Sequence, residues 1–235
     1  MKILHTADWH LGKKLDHFSR LDEQRLVMNE ICVIADNENA DVIIVAGDLF
    51  DTFNPPVEAI DLLYKTLKRL TNNGKRPVIA IAGNHDSPDR IDSPNPLARE
   101  CGILFVGNPD VTIPCFTIEN GFEIIQSENG FIEIKLPQYD FPIRIITTPY
   151  ANEMRLKTYL GADNKEEQLN QLLGDSWSAI AAKYCDNEGV NILTTHLYML
   201  KRGGEILEEP DGEKPLRIGN ADIVYTDCIP HQIQY

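Results

Sequence analysis

Four short segments of the chain place carboxylate, imidazole or amide side chains directly after a run of apolar residues. Side chains of these types are ligands for divalent metals of intermediate hardness. Taken alone, each also has an ordinary structural role, such as a turn residue or a hydrogen-bonded histidine. Their joint occurrence at equivalent positions predicts a metal site. The residues are Asp8 and His10, Asp48, Asn84 and His85, and His196.

The apolar runs before these segments are typical of buried strands. Strands are predicted at residues 2–6, 41–46 and 77–82, with helices between them that begin near Ser19 and at Pro55. Strands and helices that alternate with short connections are typical of a parallel sheet with right-handed crossovers. Carboxyl ends of parallel strands meet at one edge, where ligands bind, so the segments are expected to converge there.

The donor types favour a pair of cations over a single ion. Two cations that lie ~3.5–4 Å apart need a carboxylate that bridges them. Asp48 is expected to be that bridge, because it lies between the other ligand sets in chain order. Glycines precede both Asp48 and Asn84, and they allow the tight turns that aim these side chains inward.

Residues 102–148 have a different pattern. Short β-rich pieces, the first at residues 111–113, are separated by Asn-Gly turns at Asn120 and Asn129. Such turns between β-rich segments favour antiparallel hairpins, which are expected to extend the parallel sheet.

The last part of the chain returns to helix and strand. A helix is predicted over residues 165–184 with an interruption near Gly174, and a buried strand over residues 190–194 leads to His196. Residues 201–215 are polar, acidic and contain glycine, which is typical of a loop.

Composition narrows the class of protein. The chain has 235 residues, 43% of them hydrophobic, and a formal net charge of −14. No apolar run approaches the ~20 residues of a membrane span, and a strand-like start leaves no signal peptide. Five scattered cysteines are expected to be reduced thiols, so a cytoplasmic protein is predicted. The acidic charge gives no support for nucleic-acid binding, so any such function must rest on a site.

The motifs resemble those of the calcineurin-like metallophosphoesterases, and within them the bacterial SbcD-type nuclease family. The resemblance extends through residues 218–222 and so covers nearly the whole chain. It implies an α/β metallophosphoesterase sandwich in which mixed sheets are flanked by helices. The motifs are His5-Thr6-Ala7-Asp8-Trp9-His10-Leu11-Gly12, Gly47-Asp48-Leu49-Phe50-Asp51-Thr52 and Gly83-Asn84-His85-Asp86-Ser87-Pro88.

The resemblance implies a role for each metal-binding residue. It implies that the cofactor is two divalent ions, with Mn²⁺ the usual metal. Asp8 and His10 would hold one ion, Asp48 would bridge, and Asn84 and His196 would hold the second.

The same resemblance implies that His85 is catalytic and not a ligand. It would contact the scissile phosphate and help the 3′ oxygen to leave as proton donor or electrostatic stabiliser. Asp86 would orient it.

One departure from the family pattern concerns the end of the sequence. The family completes its site with a Gly-His-x-His motif, whereas this sequence ends at Tyr235 before such a motif. Residues 1–235 are therefore expected to be a metallophosphoesterase domain truncated before that motif, without the capping and ATPase-binding regions, and with weak metal binding or no activity.

The function implied is that of a nuclease subunit in DNA repair and recombination. It would act as a 3′–5′ double-strand exonuclease and hairpin endonuclease beside an SbcC-like, SMC-like ATPase, as a homodimer within a heterotetramer. Two alternatives stay open. One is a phosphomonoesterase or phosphodiesterase of the same superfamily, and the other is a DNA-end tethering protein with a vestigial site. Metal-dependent cleavage of duplex DNA distinguishes them.

Overall fold

The fold is taken from a computed structural model, which describes residues 1–161, 163–204 and 222–235. Most of the predicted loop at 201–215 and most of the family resemblance at 218–222 lie outside the described residues. The described part is built on two large sheets packed face to face, with helices on their outer faces, and it also contains two short two-stranded sheets.

The bounds of the elements follow chain order. The strands are β1 (Ile3–Thr6), β2 (Lys14–Leu15), β3 (Phe18–Ser19), β4 (Val42–Ala46), β5 (Val78–Ile81), β6 (Ile103–Val106), β7 (Phe116–Thr117), β8 (Glu123–Glu128), β9 (Phe131–Lys135), β10 (Ile143–Thr148), β11 (Val190–Thr195), β12 (Met199–Leu200) and β13 (Val224–Tyr225). The helices are α1 (Leu21–Asn37), α2 (Val57–Leu70), α3 (Pro88–Asp92), α4 (Asn95–Glu100), α5 (Glu153–Leu156) and α6 (Lys165–Tyr184), and Thr226–Cys228 forms a 3₁₀ turn.

The first sheet is parallel and has the order β1-β4-β5-β6. β4 is buried on both faces, as its continuous β-branched run predicts. Alternate residues face opposite layers: Ile43 and Val45 pack against the helices α1 and α2, whereas Val42 and Ile44 pack against the second sheet. The three strands predicted for the first hundred residues and their parallel arrangement are confirmed.

The second sheet corrects one expectation. The hairpins do not extend the first sheet but form a separate five-stranded sheet of order β11-β10-β9-β8-β7. β10 pairs with β11 in parallel, and the other neighbours are antiparallel, so this sheet is mixed. Its inner face, with Ile132, Ile145 and Ile192, buries the inner face of the first sheet. Two apolar faces that meet bury more surface than one longer sheet would.

Two smaller expectations are also wrong. Residues 111–113 form no strand, although Ile113 is buried in the core. Helix α6 is continuous through Gly174, and the missing side chain allows the 3₁₀ turn to pack closely on the helix: a Cβ at Gly174 would lie 3.0 Å from Cys228 Cβ. Glycine serves a close approach here and not an interruption.

The described residues contain no helix that is long and apolar enough to span a membrane. The fold class predicted from the sequence, an α/β sandwich of mixed sheets flanked by helices, is confirmed.

Candidate metal centre

The loops after β1 and β4 hold each other through their backbones. The Asp8 N–H donates to the Gly47 carbonyl (3.1 Å), and the His10 N–H donates to the Asp48 carbonyl (2.9 Å). Asp8, His10 and Asp48 have φ values of 55°, 44° and 49°, in the left-handed region that side-chain-bearing residues rarely adopt. Such strain persists only where the surroundings enforce it, and it concentrates at functional sites.

Asp48 lies at the centre of the site. It is 3% exposed, and it belongs to two separate groups of donor atoms, one with His10 and His85 and one with Asp8 and His196. Its Oδ2 lies 3.5 Å from His10 Nε2, and its Oδ1 lies 3.6 Å from His196 Nε2. One carboxylate with an oxygen toward each group is the arrangement that a bridging ligand requires.

His196 and Asn84 present lone pairs to each other. The His196 Nδ1–H donates to the Ala46 carbonyl (2.7 Å), which fixes the tautomer and leaves Nε2 unprotonated in the neutral ring. His196 Nε2 then faces Asn84 Oδ1 at 3.1 Å. Metal-binding histidines characteristically donate their second ring N–H to a backbone carbonyl, so this pair fits a shared cation.

His10 and His85 form the other side of the site. Their rings meet edge to face with centroids 4.9 Å apart. Burial lowers the pKa of His10 below its usual range, although nearby Asp48 acts in the opposite direction. The neutral imidazole that results has a lone pair for a cation. His10 Nδ1, which is 3.6 Å from Asp51 Oδ1, has no hydrogen-bond partner within the described residues.

His85 is held by its backbone and by its ring. Its N–H donates to Asp48 Oδ1 (2.9 Å), and its ring Nδ1 lies 3.1 Å from the Asp51 carbonyl. Because a carbonyl only accepts, Nδ1 carries a hydrogen and Nε2 faces the cleft, 3.9 Å from Asp48 Oδ2.

Asp86 does not orient His85, so that expectation is wrong. Its carboxylate accepts backbone N–H groups from Leu49 (3.0 Å), Phe50 (2.9 Å) and Gly83 (2.8 Å). Burial raises the pKa of Asp86 to about 6, even though these three hydrogen bonds favour the charged form. Asp86 therefore joins the loop after β4 to the loop after β5. The group that hydrogen-bonds the His85 ring is the Asp51 carbonyl.

Two glycines are required by close approach. A Cβ at Gly83 would lie 2.0 Å from Asp48 Oδ1 and 2.2 Å from the Asp48 backbone nitrogen, and a Cβ at Gly47 would lie 2.2 Å from His196 Nδ1. Gly47 also has φ of +93°. The missing side chains of these glycines therefore leave space for Asp48 and His196, in addition to allowing the tight turns.

The fold brings all six predicted side chains to one cleft. Asp8, His10, Asp48, Asn84, His85 and His196 line a cavity of ≈ 330 Å³ at the carboxyl edge where the two sheets meet. Sequence reasoning missed that Asp51 contacts His10 and His85, and it missed Tyr150, which lines the cleft. Asp51 belongs to a quoted motif, so a signal was present, whereas Tyr150 has no local motif.

Comparison with known proteins adds an independent finding. Residues 1–225 match the family described as calcineurin-like phosphoesterase, and the chain therefore belongs to that family, which uses divalent metals. The chain is also 35% identical over 240 residues to the SbcD component of the SbcCD nuclease of Bacillus subtilis (strain 168), covering 100% of this chain and 55% of that protein.

A second relative agrees. The chain is 31% identical over 229 residues to the SbcD component of the SbcCD nuclease of Staphylococcus epidermidis, covering 95% of this chain and 52% of that protein. The chain spans about half the length of these curated relatives. The resemblance to SbcD-type nucleases that the motifs indicated is confirmed.

Proposed function

We propose that the chain is the nuclease domain of an SbcD-type protein that hydrolyses phosphodiester bonds of DNA with two divalent metal ions. The observation that carries this proposal is the pair of donor groups that share Asp48. The names of the relatives, which identify them as SbcD components of the SbcCD nuclease, support the choice of a nuclease over other phosphoesterases.

The donor set fits two divalent cations, and Mn²⁺ is proposed because carboxylate, imidazole and amide donors together suit a metal of intermediate hardness. Following the resemblance, Asp8 and His10 would hold one cation, Asp48 both, and Asn84 and His196 the other. Asp8 Oδ1 and His10 Nε2 lie 3.8 Å apart, which allows this pairing. Asp8 also lies within reach of His196, and His10 within reach of His85, so both sets of donors remain close to Asp48. When bound, such cations lower the pKa of a water and neutralise charge on phosphoryl oxygens.

The side chains around these donors supply the rest of the chemistry. His85 Nδ1 carries the hydrogen that it donates to the Asp51 carbonyl, and Nε2 faces the cleft. Nε2 is therefore the nitrogen through which a doubly protonated ring would pass a proton to a leaving oxygen. The hydrogen bond from His85 Nδ1 to the Asp51 carbonyl holds the ring in that orientation before any substrate is bound.

The proposed partners follow from the same assignment. We infer that the substrate is duplex DNA, cleaved 3′ to 5′ from ends and at hairpins, and that the partner is an SMC-like ATPase corresponding to SbcC. A homodimer within a heterotetramer, in the cytoplasm and at the nucleoid, is the proposed assembly and location. The net charge of −14 does not favour DNA binding, and bound cations would supply local positive charge for DNA phosphates at the site.

The experiment compares Asp48→Asn with the control Asp22→Asn, whose carboxylate is 95% exposed on α1. Mn²⁺ binding is measured by calorimetry, and hydrolysis is measured on an end-labelled duplex, a DNA hairpin and p-nitrophenyl phosphate. All three proteins are prepared in a longer chain that includes the Gly-His-x-His motif, because residues 1–235 alone are expected to bind metal weakly. We expect Mn²⁺-dependent cleavage of DNA by the wild type and by Asp22→Asn, and its loss together with Mn²⁺ affinity in Asp48→Asn.

Two results would contradict the proposal. Turnover of p-nitrophenyl phosphate without DNA cleavage would assign the site to a phosphomonoesterase. Normal DNA binding with no metal-dependent hydrolysis would leave a tethering role.

A further inference from the structure

Arg155 reaches the metal centre from outside both sheets. It lies on the short helix α5 and is 9% exposed. Its Nη1 donates to the Gly83 carbonyl (2.9 Å), and its Nη2 donates to the Asp86 carbonyl (2.8 Å). These two carbonyls flank Asn84 and His85, so one side chain holds both ends of the segment that carries them.

The chemistry of arginine makes this contact a geometric constraint. The guanidinium is planar, and its two terminal nitrogens lie at a fixed separation, so it fixes the distance between the carbonyls it binds. Hydrogen bonds from a charged donor are about twice as strong as neutral ones. A lysine keeps the charge but cannot reach two carbonyls with a rigid fork.

The opposite side of the same segment is held by a different group. The Asp86 carboxylate accepts the N–H groups of Leu49 and Phe50, which follow Asp48, and that of Gly83. The segment 83–86 is therefore fixed relative to Asp48 by a carboxylate and relative to α5 by a guanidinium. Arg155 also lies 5.0 Å from the ring centroid of Tyr150, which lines the cleft.

We propose that Arg155 is a positioning residue of the metal centre, which holds Asn84 where it ligates a cation and His85 where it faces the substrate phosphate. The second half of this statement rests on the proposed nuclease function. The first half concerns metal affinity alone and is tested without any substrate.

The chain offers a matched control in Arg76. This arginine is also buried, at 5% exposed, and its guanidinium donates to the backbone carbonyls of Leu70 (3.1 Å) and Ala35 (3.3 Å). It shares no partner with the donor residues in the cleft. The loss of stability in Arg76→Lys therefore measures the cost of leaving buried carbonyls without their guanidinium. Arg155→Lys has the same cost and, in addition, any effect of displacing Asn84 and His85.

The experiment measures stability, Mn²⁺ affinity and the separate kcat and KM of DNA cleavage for the wild type, Arg155→Lys and Arg76→Lys, each in the longer chain that includes the Gly-His-x-His motif. Contacts that hold metal ligands in place are typically worth about 10–100-fold in affinity or activity. We expect both variants to lose stability. We expect only Arg155→Lys to bind Mn²⁺ about tenfold more weakly and to lose kcat with KM little changed.

Equal Mn²⁺ affinity and equal kcat in the two variants would overturn the proposal and leave Arg155 a purely structural residue. If the wild type binds Mn²⁺ but cleaves no DNA, the nuclease assignment fails, and the affinity comparison still decides the role of Arg155.

A second variant covers the case in which Arg155→Lys does not fold. The Asn152 side chain caps α5 by accepting the Arg155 backbone N–H (2.9 Å). Asn152→Ala therefore keeps the guanidinium but loosens the helix that positions it. We expect a smaller loss of Mn²⁺ affinity in the same direction. A loss of stability with unchanged affinity would contradict the proposal.

Discussion

His85 is the only one of the six site residues whose side chain is predicted to act on the substrate and not on a metal. Its ring is fixed by the Asp51 carbonyl, and Nε2 faces the cleft near Asp48. The same nitrogen lies within one of the two donor groups, so its role must be separated from ligation by measurement. If His85 acts on the substrate, its removal lowers turnover alone. If His85 is a metal ligand, its removal lowers metal affinity as well.

For His85→Ala we expect kcat for DNA cleavage to fall by about 10²–10⁴-fold, the usual contribution of a positioned proton donor, with Mn²⁺ affinity retained. Steady-state kinetics and calorimetry measure the two quantities. His231→Ala, at an exposed position away from the cleft, is the control. A parallel loss of Mn²⁺ affinity in His85→Ala would identify His85 as a ligand instead.

Asp86 gives a second prediction at this scale, because all three N–H groups it accepts belong to the loops of the site. In Asp86→Asn an amide group replaces one oxygen and points its own donors at a backbone N–H. We expect a loss of about 1–3 kcal/mol in the free energy of unfolding, measured in urea. A variant as stable as the wild type would show that the carboxylate does not hold these loops together.

At the scale of elements, the site residues were predictable because each follows a strand whose apolar pattern is local. The pattern at residues 41–46 predicts β4 and so places Asp48 at a carboxyl edge. The division into two sheets was not predictable from the sequence. Apolar and polar residues alternate in the same way along a hairpin whether the hairpin extends the first sheet or forms a second one. Arg155 and the acceptors of its guanidinium are about 70 residues apart in sequence, and no local pattern links them.

Helix α6 shows how a local rule fails for a physical reason. Glycine inside a helix costs about 1 kcal/mol relative to alanine, which favours an interruption at Gly174. The helix continues because Leu169, Leu173 and Trp177 are buried in the core against which it packs, and this burial outweighs the cost of one glycine. Glycine at 174 allows the 3₁₀ turn Thr226–Cys228 to approach the helix closely.

We therefore expect Gly174→Ala to give none of the stabilisation of about 1 kcal/mol that a solvent-facing helix position would give. The added Cβ would lie 3.0 Å from Cys228 Cβ, so the turn must move away from α6. Urea unfolding measures the net change. A variant stabilised by the full amount would mean that the turn is free to shift.

At the scale of the whole molecule, the metal centre depends on how the two sheets are held together. The His196 ring follows β11 in the second sheet and donates to Ala46 of β4 in the first. At the other end of β4, the Asp41 carboxylate accepts the Lys2 N–H (2.7 Å), the Tyr139 hydroxyl (2.8 Å) and the Gln138 amide (3.1 Å). Tyr139 and Gln138 belong to the connection between β9 and β10, so Asp41 also joins the sheets.

The charge of Asp41 makes this second connection depend on pH. Burial opposes its ionisation, but the hydrogen bonds from Lys2, Tyr139 and Gln138 outweigh burial and hold the pKa of Asp41 below its ordinary value. A carboxyl whose pKa is lowered by folding stabilises the native state above its unfolded pKa. That contribution is lost as pH falls through the folded pKa.

We expect Asp41→Asn to lower the free energy of unfolding by about 1–3 kcal/mol between pH 5 and 8, because it removes hydrogen bonds to a charged acceptor. The difference from the wild type should shrink as pH falls below the ordinary aspartate pKa of about 3.9, because the unfolded wild-type chain then takes up a proton that the folded carboxylate resists. Urea unfolding at a series of pH values measures this difference. Tyr139→Phe, which removes one donor and keeps the carboxylate, should lose less over the same pH range. A difference that stays constant down to pH 3 would mean that packing around Asp41, and not its charge, holds the two sheets together there.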